Sequence, residues 1–403
     1  MSHVVIVGAG HGAGQVAATL RQKHFTGQVT LVGEEPWYPY QRPPLSKKYL
    51  AGEMTAERLY FKPPSFYDDP GTCVQLNTRV AAIDRNRRKI STDDGDSLDY
   101  THLVLATGSR PRKLGLRGAN LAGIHYLRSI DDVNAIRGEM GSGKRVVIVG
   151  AGYIGLEVAA VTAQLGFDVT VIEMEDRVMS RVVSPRLSTF YQDLHTERGV
   201  KLKLSTGVRS FSGDRRVDSI ITDSGESLPA DIVIIGIGIM PNVELAAESG
   251  LEVSNGIVVD DHCRTIDPDI YAIGDCTWHP NALLGFHLRL ESVHNALEQA
   301  KTAATNICGN DVAYAQVPWF WSDQYDLKLQ IAGLSQGYDQ VVMRGNPNDR
   351  SFACLYLRDG QLISVDAVNS PKDFMQSKAL IAAHAIIDPV TLANTDIPLK
   401  DML

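Results

Sequence analysis

The chain has 403 residues, of which 44% are hydrophobic and 21% are charged, and its formal net charge is −8 at pH 7. This length is enough for two or three domains with substantial cores. The negative charge gives no support to a general nucleic-acid or membrane role, and no run of 18 apolar residues predicts a membrane-spanning helix. The five cysteines are scattered without a CxxC pair, and the N-terminus enters a strand at once, so we expect a cytoplasmic protein.

The first predicted element is a buried strand that leads directly into a glycine-rich turn. Four β-branched residues are followed by Gly8, Gly10 and, at the sixth position of the motif, Ala13. Glycine at these places allows a tight turn and lets a pyrophosphate approach the N-terminus of the next helix. The following predicted strand ends before Glu34 and Glu35, where a carboxylate is placed to accept a hydrogen bond from an adenosine ribose. The pattern predicts a dinucleotide site.

A proline-rich, aromatic and basic stretch at residues 36–50 follows this unit. Its prolines exclude a strand or a helix interior before Leu45. Because the stretch comes directly after the first nucleotide unit, we expect it to contact the cofactor. Lys47 is the leading candidate for a cation near the reactive ring, and an exposed surface lysine is the alternative.

Residues 79–107 predict short strands joined by polar turns. The last of these strands ends in the small residues Ala106, Thr107 and Gly108, which permit close approach of the backbone. Pro111 then favours an exit of the chain from the domain.

A second copy of the strand–turn–helix pattern occupies residues 146–157. Its glycines are Gly150, Gly152 and Gly155, and its second strand ends at Glu173. Two complete motifs predict two bound dinucleotides. The alternative is that one copy is a degenerate repeat that binds nothing.

The second dinucleotide unit is predicted to be an insertion into the first. Residues 231–241 repeat the earlier exit of strand, glycines and proline, and the chain then returns to a strand that ends at Gly274 and Asp275. Because ligands of open α/β sheets lie beyond such strand ends, Asp275 is a candidate to bind a ribityl hydroxyl. The alternative is an ordinary turn acid.

A predicted helix at residues 289–308 is followed by a cluster of aromatic residues, short strands and a last helix, which together form an α+β module. The predicted domains are a discontinuous first dinucleotide-binding domain at 1–111 and 243–317, a second dinucleotide-binding domain at 112–242, and a C-terminal domain at 318–403; the resemblance described next assigns FAD to the first and NAD to the second.

Seven motifs occur in a fixed order along the chain, at 8–14, 42–47, 106–111, 150–157, 236–242, 274–275 and 318–324. Together they resemble the FAD-dependent ferredoxin reductases of bacterial oxygenase systems, over essentially the whole chain. The resemblance implies an α/β, glutathione-reductase-like fold with two Rossmann-type dinucleotide-binding domains and a C-terminal α+β domain. It also implies an enzyme that transfers a hydride from NADH to FAD and then single electrons to a 2Fe–2S ferredoxin. That ferredoxin would serve a cytochrome P450 or another oxygenase.

The resemblance assigns contacts with FAD position by position. Lys47 lies near the flavin, where a cation stabilises the negative charge of the reduced ring. Trp321 is the aromatic residue expected near the ring, with a core tryptophan as the alternative. The full set implied for FAD is Gly8, Gly10, Gly12, Ala13, Gly14, Glu34, Glu35, Arg42, Lys47, Val80, Ala106, Thr107, Gly108, Arg128, Gly274, Asp275, Val293 and Trp321.

The same resemblance assigns a second set of residues to NADH: Gly150, Gly152, Tyr153, Ile154, Gly155, Glu157, Glu173 and Gly238. Glu157 would lie beneath the nicotinamide, and a plain first-turn acid is the alternative. Glu173 and Glu175 would repel a 2′-phosphate and so favour NADH. Arg177 and Arg181 leave NADPH open as an alternative. The implied catalytic residues are Lys47, Glu157 and Trp321, and no metal is expected.

An acidic ferredoxin would dock on basic residues near the flavin, and the candidates are Lys62, Arg289 and Lys301. Disulfide reductases share the fold, but they need a cysteine pair soon after the first motif, and residues 36–60 contain no cysteine. Two alternatives are a flavin NADH oxidase and a flavin-bound interaction protein of the apoptosis-inducing type. The net charge of −8 is against the second of these.

Overall fold

The computed structural model describes residues 2–141 and 143–402, so Met1, Ser142 and Leu403 of the predicted domains lie outside it. The chain divides into two compact units. Unit 1 consists of Met1–Arg42, Ala56–Arg110 and Met240–Pro318, and unit 2 consists of Pro43–Thr55, Pro111–Ile239 and Trp319–Leu403. The finer division into three domains remains a prediction. None of the helices in the described ranges has the length and apolar character needed to cross a membrane.

The strands are β1 (His3–Val7), β2 (Gln28–Val32), β3 (Thr72–Gln75), β4 (Val80–Asp84), β5 (Lys89–Thr92), β6 (Ser97–Asp99), β7 (His102–Leu105), β8 (Ser109–Pro111), β9 (Ile124–Tyr126), β10 (Arg145–Val149), β11 (Asp168–Ile172), β12 (Lys201–Lys203), β13 (Val208–Ser212), β14 (Ser219–Thr222), β15 (Ser227–Pro229), β16 (Ile232–Ile235), β17 (Ile239–Pro241), β18 (Ile257–Val258), β19 (Ile270–Ala272), β20 (Thr277–Asn281), β21 (Phe286–Leu288), β22 (Trp319–Gln324), β23 (Leu327–Gly333), β24 (Gln340–Asn346), β25 (Ser351–Arg358) and β26 (Gln361–Val368). The α-helices are α1 (His11–Gln22), α2 (Ile130–Glu139), α3 (Tyr153–Gln164), α4 (Pro185–Glu197), α5 (Glu244–Glu248), α6 (Val293–Ile307), α7 (Pro371–Ala382) and α8 (Pro389–Ala393).

Unit 1 is built on a parallel sheet with the strand order β19-β7-β1-β2-β3. Its central strand β1 is covered on both faces, as a run of β-branched residues predicts. Val4 and Ile6 pack in a core with residues of α1 and α6. Val5 and Val7 pack on the opposite face with residues of the antiparallel sheet β4-β5-β6. The carboxyl ends of β1 and β7 therefore carry the first glycine motif and Ala106–Gly108.

Unit 2 contains a second parallel sheet, with the order β12-β11-β10-β16-β9. Val147 and Val149 of its central strand pack against the antiparallel sheet β13-β14-β15. The C-terminal residues form a five-stranded antiparallel sheet, β22-β23-β26-β25-β24, and α7 packs on β23 and β26. Within this unit, α3 contacts both its own parallel sheet and β22. The second glycine motif thus lies next to the C-terminal sheet.

Candidate active site

The first glycine motif forms the turn between β1 and α1. Gly8 has a φ of +114°, and a Cβ on it would lie 2.3 Å from the carbonyl oxygen of Ala106, so only glycine fits. A Cβ on Gly10 would have no atom within 4 Å. There is consequently room for a phosphate at the N-terminus of α1, where backbone N–H groups favour anions. The residues present fit a dinucleotide.

Gly12 and Gly14 face the protein on the first turn of α1. A Cβ on Gly12 would lie 2.9 Å from the side chain of Ile273, and a Cβ on Gly14 would lie 2.9 Å from the ring of Phe61. At these two positions, any contact with a pyrophosphate would come from the backbone. Ala13 between them is fully buried in the core of unit 1.

The two acids after β2 differ in their surroundings. Glu35 accepts hydrogen bonds at 2.6 Å from the hydroxyl of Tyr40 and at 2.6 Å from Nη2 of Arg42, and both ionic side chains of that pair are about three-quarters buried. Glu34 is exposed. The structure therefore gives Glu35 and Arg42 a role in fixing the loop, and the choice between Glu34 and Glu35 as the ribose ligand stays open.

A second group of predicted FAD residues follows β7 and β19. Asp275 lies in a short turn directly after β19, and its Oδ2 accepts a hydrogen bond from Ser109 at 2.8 Å. Val293 is the first residue of α6, whose N-cap Ser292 accepts a hydrogen bond from the backbone of Asn295. Asp275 thus lies just beyond the end of β19, as predicted, and close to Ser109. Its role toward a ribityl chain stays a prediction.

The second glycine motif repeats the geometry of the first in unit 2. Gly150 has a φ of +104°, and a Cβ on it would lie 2.4 Å from the carbonyl oxygen of Gly236. A Cβ on Gly152 would have no atom within 4 Å, whereas one on Gly155 would lie 2.0 Å from the carbonyl oxygen of Gly150. The first and third glycines therefore bring backbones together, and the second borders open space, as a pyrophosphate site requires.

Three further residues predicted to contact NADH differ in how they are packed: one is in contact with an aromatic ring, one is exposed, and one borders open space. The ring of Tyr153 lies 4.8 Å from that of Phe320, and burial raises the pKa of Tyr153 well above its usual range. Ile154 is 43% exposed on the first turn of α3. Gly238 has a φ of +102°, and a Cβ there would meet no atom within 4 Å. Open space next to Gly238 is compatible with a ring that passes close to the backbone.

Glu173 is oriented by the backbone of the same motif. Its Oε2 accepts a hydrogen bond from the backbone of Ala151 at 2.7 Å, and its Oε1 accepts one from the backbone of Glu175 at 3.0 Å. Arg177 is committed to structural contacts: it donates to the carbonyls of Val183 and Ser180 and to the hydroxyl of Ser188, at 2.6–2.9 Å. Because of these bonds, Arg177 is not placed to neutralise a 2′-phosphate.

Lys47 and Glu157 form a largely buried ion pair within unit 2. Nζ of Lys47 lies 2.7 Å from Oε2 of Glu157, and the two side chains are 17% and 4% exposed. Glu157 lies in the first turns of α3, and Lys47 directly follows a short 3₁₀ turn over Pro43–Ser46. The structure therefore brings together two of the three predicted catalytic residues, which are 110 positions apart in sequence.

Two serines complete the surroundings of this carboxylate. Ser46 donates to Oε2 of Glu157 at 2.5 Å, and Ser322 of β22 donates to Oε1 at 2.7 Å. Both serines are buried. Sequence analysis missed them, although Ser46 directly precedes Lys47 in the predicted loop. With these bonds, both carboxylate oxygens have charged or polar donors, so Glu157 is fixed in orientation.

Trp321 lies away from this ion pair. Neighbouring residues of a strand point to opposite faces, and Ser322 points to Glu157. The ring of Trp321 lies instead 5.4 Å from that of Trp319, whose ring is 5.7 Å from that of Phe374. The structure thus does not bring the third predicted catalytic residue to the other two, and its contact with a flavin stays a prediction.

Val80 and Arg128, which were also expected to line FAD, lie in different compact units. Val80 is buried at the start of β4 in unit 1. Arg128 is a residue of unit 2 directly before Ser129, the N-cap of α2, and its backbone donates to Asp132 at 2.9 Å. Their part in FAD binding stays a prediction.

The three docking candidates lie in unit 1. Arg289 pairs with Glu291, and Lys301 pairs with Glu298 at 2.6 Å. Nζ of Lys62 lies 5.5 Å from the centre of the ring of Phe61. Each of the three therefore has its own neighbour in the described part of the chain, and their part in docking stays a prediction.

Comparison with known proteins gives matches over the whole chain. The family model described as pyridine nucleotide-disulphide oxidoreductase matches residues 2–300, and the one described as Reductase C-terminal matches residues 319–403. A ferredoxin–NAD(P)+ reductase of Sphingomonas sp. is 44% identical, covering 99% of this chain and 97% of the relative.

Two solved structures are similar in both sequence and fold. The ferredoxin reductase for the CYP199A2 system of Rhodopseudomonas palustris is 40% identical with a TM-score of 0.96, covering 99% of each chain. Putidaredoxin reductase, in its covalent complex with putidaredoxin, is 42% identical with a TM-score of 0.96, covering 100% of this chain and 98% of the other.

Proposed function

Because the chain belongs to the pyridine nucleotide-disulphide oxidoreductase family, we propose that it is a ferredoxin reductase that takes electrons from NADH through FAD. The observation that carries the proposal is the pair of glycine turns, one in each unit, each with open space at its second glycine. They fit two dinucleotides, as this chemistry requires. The predicted resemblance, the fold class and the oxidoreductase activity are confirmed by the relatives.

Bound FAD supplies the conversion between the two-electron chemistry of NADH and the one-electron chemistry of a 2Fe–2S ferredoxin. The chain's own residues supply binding, orientation and charge. We assign Lys47 to place a positive charge beside the ring and Glu157 to fix that ammonium group by their ion pair. Neither residue has to move a proton for hydride transfer, so their work is positioning and electrostatic stabilisation.

The electron acceptor is proposed to be a ferredoxin that serves a cytochrome P450 or another oxygenase. The relatives include a reductase solved in complex with putidaredoxin and a reductase of the CYP199A2 system. These names favour a ferredoxin reductase over an NADH oxidase or a flavin-bound interaction protein. A cytoplasmic location accords with the five cysteines, all of which are free.

Anaerobic stopped-flow absorbance tests the proposal on the purified holoprotein. Mixing with NADH should bleach the flavin rapidly, and a second mix with a 2Fe–2S ferredoxin of a P450 system should then reduce the ferredoxin. Slow bleaching by both NADH and NADPH would contradict the assignment. Fast bleaching followed by electron delivery to oxygen alone, across a panel of such ferredoxins, would favour an oxidase.

NADH is proposed to be the preferred nicotinamide donor. The carboxylate of Glu173 is fixed by two backbone N–H groups, and it would present negative charge to a 2′-phosphate. Arg177 is committed to other contacts, so the exposed Arg181 is the remaining candidate to accommodate such a phosphate. Glu173→Ala should raise KM for NADH about 10-fold, the loss of a hydrogen bond to a charged group, and narrow the preference over NADPH. Asp214→Ala is the matched control, because Asp214 is an exposed acid of unit 2 outside the residues assigned to NADH. Equal effects of the two variants would contradict the assignment.

A further inference from the structure

A continuous row of hydrogen bonds leads from the catalytic ion pair to the rim of unit 2. Ser322 bonds Oε1 of Glu157 at 2.7 Å, and Nε2 of Gln324 bonds the hydroxyl of Ser322 at 3.2 Å. Nε2 of His195 lies 2.9 Å from Oε1 of Gln324, and the hydroxyl of Tyr325 lies 3.2 Å from Nδ1 of His195. We call Ser322, Gln324, His195 and Tyr325 the donor chain.

The direction of every bond in the donor chain follows from the carboxylate at its end. A carboxylate can only accept, so the single proton of Ser322 is donated to Glu157. Ser322 must then accept from the amide nitrogen of Gln324, which leaves the amide oxygen to accept from His195. This arrangement places the imidazole proton on Nε2, so Nδ1 accepts from Tyr325. All four donors point toward Glu157.

The surroundings of the donor chain are consistent with a neutral imidazole. Ser322, Gln324 and His195 are all completely buried, whereas Tyr325 is half-buried. Burial lowers the pKa of His195 to about 4. At neutral pH the ring therefore has one proton, as the bond directions require.

Local structure explains how two elements build the donor chain. On β22 every second side chain points to the same face, so Ser322 and Gln324 both face the helices. Tyr325 occupies the turn after this strand with a φ of +55°. His195, in the last turn of α4, lies within reach of both Gln324 and Tyr325.

We propose that the donor chain consists of positioning residues for the reductase reaction. They orient the carboxylate of Glu157 and stabilise its negative charge, and Glu157 in turn positions the ammonium group of Lys47. This proposal rests on the proposed function, because the proposed function assigns the ion pair of Lys47 and Glu157 to a place beside the flavin. Hydrogen bonds aligned in one direction polarise one another, so the last donor is stronger than an isolated hydroxyl. Oε1 is occupied by Ser322, which leaves Oε2 to the ammonium group of Lys47 and to Ser46.

Ser322→Ala removes the last donor, and two readouts measure the result: the limiting rate of flavin reduction at saturating NADH and the midpoint potential of the bound flavin. We expect the rate to fall about 10-fold with KM for NADH unchanged, the equivalent of one hydrogen bond to a charged group. The potential should fall, because the less-stabilised carboxylate disfavours a negatively charged reduced ring.

Ser364→Ala is the matched control. Ser364 is also completely buried in the C-terminal sheet, but its hydroxyl donates to the backbone carbonyl of Ala332. It should cost similar stability and leave both readouts at the wild-type values. If Ser322→Ala and Ser364→Ala give the same rate and the same potential, the proposal is wrong.

Two further variants interrupt the donor chain at other points without emptying the site. In Gln324→Met the amide that donates to Ser322 and accepts from His195 is lost at similar volume, so the chain ends at Ser322; the rate should fall about 2-fold and the potential should shift in the same direction as in Ser322→Ala. Tyr325→Phe removes the outermost donor at constant shape and should lower the rate about 2-fold through the weakened chain. Wild-type rate and potential in Gln324→Met would overturn the proposal even if Ser322→Ala did not fold.

The potential separates a failure of this proposal from a failure of the proposed function, because its measurement needs neither NADH nor a ferredoxin. If the wild type reduces ferredoxin but the variants have the wild-type flavin potential, the role of the donor chain is wrong and the proposed function stands. If NADH does not reduce the wild-type flavin, the proposed function is wrong. The shifts in flavin potential among the variants still test the role of the donor chain.

Discussion

The side chain of Glu157 combines a full charge with almost complete burial. It is 4% exposed, and it has three donors: Lys47, Ser46 and Ser322. An unpaired carboxylate in such a place would be very costly, and these donors offset that cost. The alternative of a plain first-turn acid, which sequence analysis left open, does not describe Glu157: it lies beyond the first turn of α3, and two separate segments of unit 2 contact its carboxylate.

Removing one partner of this ion pair is predicted to destabilise unit 2 more than an ordinary substitution would. Glu157→Gln leaves the ammonium group of Lys47 largely buried without its counter-charge, so the free energy of unfolding should fall by about 3–5 kcal/mol. Urea denaturation, followed by fluorescence, measures the change. Glu175→Gln, at an exposed acid, should change it by less than about 0.5 kcal/mol. Equal denaturation midpoints for the two variants would contradict the role of the pair.

At the scale of the element, two glycines of the second motif are predicted to affect different properties: Gly155 affects stability, and Gly152 affects binding of the dinucleotide. A Cβ on Gly155 would lie 2.0 Å from a backbone oxygen, whereas one on Gly152 would enter open space. Gly155→Ala should therefore displace α3 and lower the melting temperature. Gly152→Ala should leave the melting temperature unchanged and raise the dissociation constant for NADH about 10- to 100-fold, since the pyrophosphate loses close hydrogen bonds. Melting curves, and titration of the purified holoprotein with NAD⁺, which has the same pyrophosphate and does not reduce the flavin, measure the two effects.

Gly10→Ala is the corresponding control in the first motif, because a Cβ there also meets no atom within 4 Å. It should weaken retention of FAD and leave the affinity for NADH unchanged in the FAD-loaded protein. If Gly10→Ala and Gly152→Ala impair the same ligand, the assignment of one dinucleotide to each motif is wrong.

The elements that sequence analysis predicted are those with local signals. The two strand–glycine–helix units were predicted because β-branched runs and glycines are contiguous, and the structure has them as β1–α1 and β10–α3. The short strands expected in the C-terminal module are present as β23, β24, β25 and β26.

The first strand of the C-terminal sheet shows why other parts were missed. Along β22 the polar Ser322 and Gln324 are buried, whereas the aromatic Trp319 and Trp321 are partly exposed, which is the reverse of the usual pattern. Hydrophobic periodicity therefore gave no strand there and no reason to select Ser322. Its partner Glu157 is 165 positions away, and no local pattern encodes a contact of that separation.

At the scale of the whole molecule, the stability depends on pH, and His195 is one of two buried histidines whose pKa is lowered to about 4; the other is His279. The unfolded chain protonates His195 near its ordinary pKa of 6.5, whereas burial lowers its pKa to about 4 in the folded protein. The stability that this group contributes is therefore complete above pH 6.5, falls as the pH drops from 6.5 to 4, and is then constant. His195 is completely buried, so the expected loss between pH 7 and pH 5 is about 2 kcal/mol.

The measurement compares urea unfolding of the wild type and His195→Asn at pH 7 and at pH 5, so that other titrating groups cancel in the difference. The wild type should lose about 2 kcal/mol more than the variant on acidification. An equal loss in both proteins would show that His195 does not titrate with folding.

Recognition of an acidic ferredoxin has to come from local positive charge, because the chain as a whole is negative at −8. The ion pairs of Arg289 with Glu291 and of Lys301 with Glu298 reduce the field of two of the predicted docking residues. Lys62 instead lies over the rings of Phe61 and Phe66, which leave its charge in place. We therefore expect Lys62 to contribute most of the three.

Lys62→Glu should raise KM for the ferredoxin about 5-fold at low salt, because reversal of a partly exposed interface charge changes association by about 1 kcal/mol. The effect should nearly disappear at about 0.5 M salt, where charges are screened over a few ångströms. NADH-dependent reduction of ferricyanide should be unchanged, since it needs no docking face. Lys113→Glu, at an exposed lysine of unit 2, is the matched control. If the two variants raise KM equally, or if ferricyanide reduction falls together with ferredoxin reduction, Lys62 is not a docking residue.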